Sequence, residues 1–139
     1  PKASEPVKTT AAPDLSKTVT AAATGQLGMP VSGSIIRAYS KGKNDGIDIA
    51  AAAGTTVKAA GDGKVLLISK NTEQVAFLAL RHDNGLVTIY QNVTGITVEK
   101  GASVKRGQAI AKVADAVPAA LHFEVRKGID PVDPMPYLQ

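Results

Sequence analysis

Two histidines and twelve carboxylates are all that this cysteine-free chain of 139 residues offers for acid–base or metal chemistry. One histidine stands in a pattern that suggests a site. His122 lies in Leu121-His122-Phe123-Glu124-Val125-Arg126, a strand-like run. Residues two apart on a strand share a face, so side chains at 120 and 122 would address the same point, such as a metal-bound water. Position 120 is alanine, and His122 does this alone. Upstream, Asn44-Asp45-Gly46-Ile47-Asp48-Ile49-Ala50 supplies the carboxylate of Asp48, and Tyr90-Gln91-Asn92-Val93 supplies only an amide at Asn92. Catalytic zinc takes three protein ligands and keeps one position open for water, and a neutral amide is a far weaker donor than imidazole. Asp45 would complete a set by ligand type, but alternation turns its side chain away from Asp48. A simpler outcome is a pair in which Asp48 accepts an N–H of His122, satisfying both polar groups without metal. No imidazole is present at 92 or 120 to move a proton or steady an oxyanion.

The elements that would position these residues are short and β-rich. Ser34 to Ala38, Ile47 to Ala50, Thr56 to Ala59, Lys64 to Ser69, Gln74 to Arg81 and Leu86 to Gln91 read as strands, followed by Ile96 to Val98, Ser103-Val104, Ala109 to Val113 and Leu121 to Val125. His82-Asp83-Asn84-Gly85 has the chemistry of a hairpin turn and places His82 toward solvent. Nothing helical stands out in this region, so the expected fold is all-β, a compact antiparallel sandwich or barrel-like domain over residues 29–139. Residues 1–28 are rich in Ala, Thr, Ser, Pro and Lys and cannot bury enough apolar surface to offset ordering entropy. They read as a disordered, flexible linker, with a short Ala-rich helix around Leu15 to Ala23 as its one candidate element.

Composition excludes several classes. The net charge of +4 comes from dispersed lysines, and with five aromatic residues and only two adjacent basic pairs, Lys105-Arg106 and Arg126-Lys127, no nucleic-acid face is expected. The chain shows neither a run long enough to span a membrane nor a signal-peptide pattern, so any targeting segment is expected outside it. Gly61-Asp62-Gly63 and Val104 to Ile110 read as scaffold turns. A lipoyl-type carrier would need a lysine at an exposed hairpin tip, and a phosphotransferase domain a pair of active histidines.

These motifs, in this order, resemble the LytM/lysostaphin-type zinc metallopeptidases, whose working members carry H-x-G-x-D, Y-x-H and a terminal H-x-H-F-E. The resemblance covers about the last four-fifths of the chain. It maps the zinc ligands to Asn44, Asp48 and His122 and the assisting histidines to Asn92 and Ala120, so metal and catalytic positions are lost at 44, 92 and 120 and only Asp48 and His122 remain. That pattern is similar to the degenerate, non-catalytic domains of the NlpD/EnvC class of murein hydrolase activators, also through the closing Val132-Asp133-Pro134-Met135-Pro136-Tyr137-Leu138.

The resemblance implies a catalytically inactive domain without cofactor, in the periplasm or cell envelope. It would regulate cell-wall cleavage during cell separation by binding and activating a peptidoglycan amidase or another wall hydrolase. The partner groove would comprise Asn44, Asp48, Tyr90, Asn92, His122 and Arg126. Tyr90 reads equally as a contact residue or as a half-buried core aromatic with its hydroxyl satisfied, and Arg126 equally as a partner-facing cation or a surface salt bridge. The alternatives are an inert peptidoglycan-binding module and a residual zinc endopeptidase.

Overall fold

In the computed structural model, residues 27–70, 75–83, 85–116 and 118–138 are described. They form ten strands: β1 (Ile35–Arg37), β2 (Ile47–Ala50), β3 (Thr56–Lys58), β4 (Gly63–Lys70), β5 (Ala76–Arg81), β6 (Leu86–Thr94), β7 (Ser103–Val104), β8 (Ala109–Val113), β9 (Ala120–Lys127) and β10 (Asp130–Val132). Every strand pairing is antiparallel, in the order β1-β2-β9-β6-β5-β4-β7. β8 continues from the far end of β6 and pairs with β3, and β10 adds to β9. The domain is all-β, as its turn-punctuated, β-branched runs require.

Large apolar side chains alternate with polar ones on β9, and buried residues alternate with half-buried ones along Leu86 to Gln91 of β6. On β9, Leu121, Phe123 and Val125 are fully buried, while His122 and Arg126 are half-buried on the opposite face. β6 sends Leu86, Thr88 and Tyr90 inward, and Tyr90 packs on its cross-strand partner Phe123 with ring centroids 5.3 Å apart and a 59° tilt. Such a pair adds about 0.5–1.5 kcal/mol beyond the burial of its area. Ile47, Ile49, Leu78 and Leu80 extend this inner face, and Val57, Ile110 and Val113 of the β3–β8 pair join it in one core.

Three boundaries differ from expectation. Ile96 to Val98 is not a strand: Thr97 gives one backbone N–H to Ile110 (3.0 Å), and its hydroxyl takes the Ala109 carbonyl, so no ladder forms. β10 and a 3₁₀ turn over Met135–Tyr137 follow β9, where Pro residues hid them from periodicity. Leu27 and Gly28, assigned to the linker, are docked: Leu27 is buried, its N–H bonds Tyr137 O (2.8 Å), and Gly28 N–H bonds Ala60 O (2.7 Å). The rest of the expected linker, with its candidate helix, lies outside the described residues.

Candidate functional site

β2, β9 and β6 lie side by side, and their register sets the site. Asp48 pairs directly with His122, and Gln91 pairs with His122 from the other side. Gly46 permits this close approach, because a Cβ there would stand 2.2 Å from the Phe123 carbonyl and 2.8 Å from Glu124 Cγ. Alternation carries His122, Glu124 and Arg126 to one face of β9.

They form a continuous polar chain. His122 Nδ1 donates to Asp48 Oδ1 (2.5 Å), and Nε2 donates to Glu124 Oε2 (2.9 Å). Arg126 grips Glu124 Oε1 through Nε (3.0 Å) and NH2 (2.7 Å), its NH1 caps the Ile129 carbonyl (3.1 Å), and Asp45 lies 3.9 Å from NH2. Gln91 Nε2 donates to Glu124 Oε2 (3.2 Å). Ionised carboxylates only accept, so an imidazole held by two of them carries both protons and is an imidazolium. The His122 pKa is accordingly raised: the Glu124 hydrogen bond favours the charged ring most, burial opposes it, and Asp48 adds to the rise. The Glu124 carboxyl is lowered, first by His122, against burial, and then by Arg126. Glu124 is 4% exposed and is the hub of the network.

The remaining expected site residues separate. Asn44 is buried, and its Nδ2 donates to Ala38 O (2.9 Å), pinning the loop into β2 rather than facing a groove. Asn92 is exposed at a β-bulge: Phe77 pairs with Gln91 and Ala76 with Val93, leaving Asn92 as the extra residue with φ 66°. Asn tolerates this left-handed geometry better than most residues. Ala120 is buried beside Ala50.

Tyr90 is a correction. It is fully buried, with its ring in the core and its hydroxyl occupied, so it offers no contact surface. Its pKa is pushed up to about 12 by burial, against the hydrogen bonds with Thr88 and Ala60. His82 is a second correction. Far from facing solvent, it is buried, with Nδ1 against Asp62 O (2.7 Å) and Nε2 against Thr88 Oγ1 (2.8 Å). Asp62 O only accepts, so His82 Nδ1 carries the proton between them; a neutral ring then accepts at Nε2 from the Thr88 hydroxyl (2.8 Å), which accepts from Tyr90 O–H (2.8 Å), and Tyr90 Oη accepts from Ala60 N–H (2.9 Å). Gly63 makes room for this, since a Cβ would stand 2.9 Å from His82 Nδ1.

Working members of the resembled family hold a zinc ion, and the donor set here does not fit one. The two remaining ligand-type residues spend their facing atoms on each other, His122's second nitrogen is on Glu124, and Asn44 turns its amide to Ala38. Among the described residues no group of three His, Cys, Asp or Glu side chains is arranged to hold a metal. Glu124, the E of the H-x-H-F-E pattern, is the buried hub to which the motif gave no role. The alternation that paired 120 with 122 also points to 124.

The Escherichia coli uncharacterized lipoprotein YgeR is 37% identical over 114 residues, covering 78% of this chain and 45% of that protein. The Escherichia coli murein hydrolase activator NlpD is 30% identical over 114 residues, covering 78% and 30%. The Vibrio cholerae peptidoglycan DD-endopeptidase ShyB is 36% identical over 110 residues, covering 76% and 24%. The chain thus spans less than half the length of each of these relatives. Among solved structures, Helicobacter pylori Csd3 superposes with a TM-score of 0.74 at 28% identity, over 84% of this chain and 34% of that one. The model of peptidase family M23 matches residues 42–134, the segment holding β2 through β10 and every residue of the polar chain, and this chain belongs to that family.

Proposed function

We propose that this domain is a catalytically inactive LytM-type domain that regulates cell-wall cleavage in the cell envelope by binding and activating a peptidoglycan amidase. The observation that carries the reading is the direct Asp48–His122 hydrogen bond, with His122's other nitrogen on Glu124. A peptidase would present these atoms to a metal and its water. This chain closes them into an ion network, has no imidazole at the ligand position 44, and has none at 92 or 120 to assist hydrolysis. Similarity to a murein hydrolase activator and to a lipoprotein supports both the role and the location.

The partner would meet the face on which Asp48, Gln91, Asn92, His122 and Arg126 keep partial exposure. Activation is a population shift. An amidase blocked by its own helix or loop opens to the extent that this face binds the released segment better than the closed form, and only that difference in affinity can activate. Mixing the purified domain with amidases on purified sacculi and measuring solubilised product tests the reading. Enhanced release is expected only with an amidase present. Binding of sacculi without activation would instead support an inert peptidoglycan-binding module.

The similarity to ShyB favours one second reading, a residual zinc endopeptidase. It requires the Asp48–His122 bond to open and a third ligand to be recruited, at the cost of leaving buried Glu124 short of a partner.

A further inference from the structure

Arg126 is the cation that motif reading selects, yet its donors are committed to Glu124 and Ile129. The sheet register places other cations in the same row. Val87 pairs with Arg126 across β6 and β9, Arg81 pairs with Val87, Lys64 pairs with Arg81, and Ser103 pairs with Lys64. Paired residues of an antiparallel sheet share a face, so Lys64, Arg81 and Arg126 project from the side that carries His122. Like charges directly opposite on neighbouring strands repel, and Lys64 and Arg81 accept that arrangement with no ion-pair partner among the described residues. Lys105 joins them around an open cleft of about 630 Å³. Asp62 and Asp83 also border the cleft, but Asp62 Oδ1 is occupied by the Arg106 N–H (2.8 Å), and the three cations outnumber the two carboxylates. Beside this row runs an apolar one, Leu67–Ala79–Ile89, ending at Glu124; Leu67 is 38% exposed and Ile89 half-buried, with Ala79 buried between them.

We infer that Lys64, Arg81 and Lys105 form a carboxylate-binding subsite that takes an acidic segment of the protein partner, whose apolar side chains lie along Leu67 and Ile89. Charge complementarity selects this occupant, since unpaired cations gain most from charge-assisted bonds to carboxylates, and the neighbouring apolar strip suits a polypeptide. The inference rests on the reading of the domain as a partner-binding module. It adds where the recognition charge resides: two and three strands from Arg126.

The test compares Lys64→Gln/Arg81→Gln with a control of equal net charge, Lys58→Gln/Lys112→Gln, whose lysines are exposed on β3 and β8. The first arm measures anisotropy of a fluorescein-labelled hexaglutamate peptide at low salt. The cleft variant is expected to lose about tenfold in affinity while the control stays near the unmodified domain. The second arm measures amidase activation on sacculi, where the cleft variant is expected to need a higher concentration for half-maximal effect. Equal peptide binding by both variants overturns the subsite, as does amidase activation equally impaired by both. Activation absent with every protein, alongside a selective loss of peptide binding, leaves the subsite standing and sinks the activator reading instead. Unfolding is controlled by melting temperature, which relief of the opposed cations should hold or raise. Single Lys64→Gln provides the same comparison if the double variant is unstable.

Discussion

Replacing Glu124 by glutamine removes one negative charge from the centre of the polar chain at nearly constant shape. Glu124 accepts from His122 (2.9 Å) and twice from Arg126 (2.7 and 3.0 Å). Glutamine keeps one acceptor but confronts one of its partners with an N–H. Hydrogen bonds to charged groups contribute about 1.5–3 kcal/mol each, and loss of one partner of a buried pair costs about 3–5 kcal/mol. Because His122 and Arg126 keep 17% and 28% of their side-chain surface, part of their charge can turn to water. A loss of about 2–3 kcal/mol follows, or roughly 10 °C in melting temperature for a domain of this size. The chain has no tryptophan, so the melt is best followed by circular dichroism. The pH profile sharpens the test. His122 is raised above its ordinary 6.5, so its contribution is complete below that value and fades as pH rises through the folded-state pKa. Glu124 is lowered from 4.5, so its contribution is complete above 4.5 and fades as pH falls. The unmodified domain should therefore be most stabilised by this pair between those values, and Glu124→Gln should flatten both edges. An unchanged melting temperature with an unchanged pH profile would refute the network.

Tyr90→Phe leaves the Ala60 N–H without its acceptor in the core and should cost about 1–3 kcal/mol, read as a lower urea midpoint, with partner activation intact at low temperature. Tyr90→Ala should unfold the domain, by about 3–5 kcal/mol, and is no probe of the partner face. Asn44→His completes a His/Asp/His set by residue type, and any zinc it binds should bring no hydrolysis of sacculi, which needs histidines at 92 and 120 as well. Arg126→Ala should weaken partner activation and also lower stability through Glu124, so its binding effect is to be read at a temperature where the variant is folded.

The strands carrying the site were legible because apolar residues recur at every second position along β2, the first part of β6 and the centre of β9, and the Asp48–His122 pair was expected because a carboxylate that accepts an imidazole N–H satisfies both groups. What escaped had physical reasons. His82 was assigned to solvent by its turn, although the same alternation through Leu78 and Leu80 carries it to the inner face, where Asp62 and Thr88 satisfy it. Tyr90 also follows Leu86 and Thr88 inward, and motif reasoning obscured that parity. The bulge at Asn92 depends on cross-strand register, and no local pattern announces it. The cationic row of Lys64, Arg81 and Arg126 joins residues far apart in sequence through three strand pairings and is invisible before the sheet is known.

The role proposed for this M23 face is to regulate hydrolysis without performing it. Incubating the purified domain with sacculi in zinc-containing buffer, alone and together with an amidase, measures this directly through the solubilised muropeptides. The account expects no release by the domain alone and a several-fold increase in amidase products when both are present. Cleaved peptide cross-links released by the domain alone, and abolished by a chelator, would contradict it.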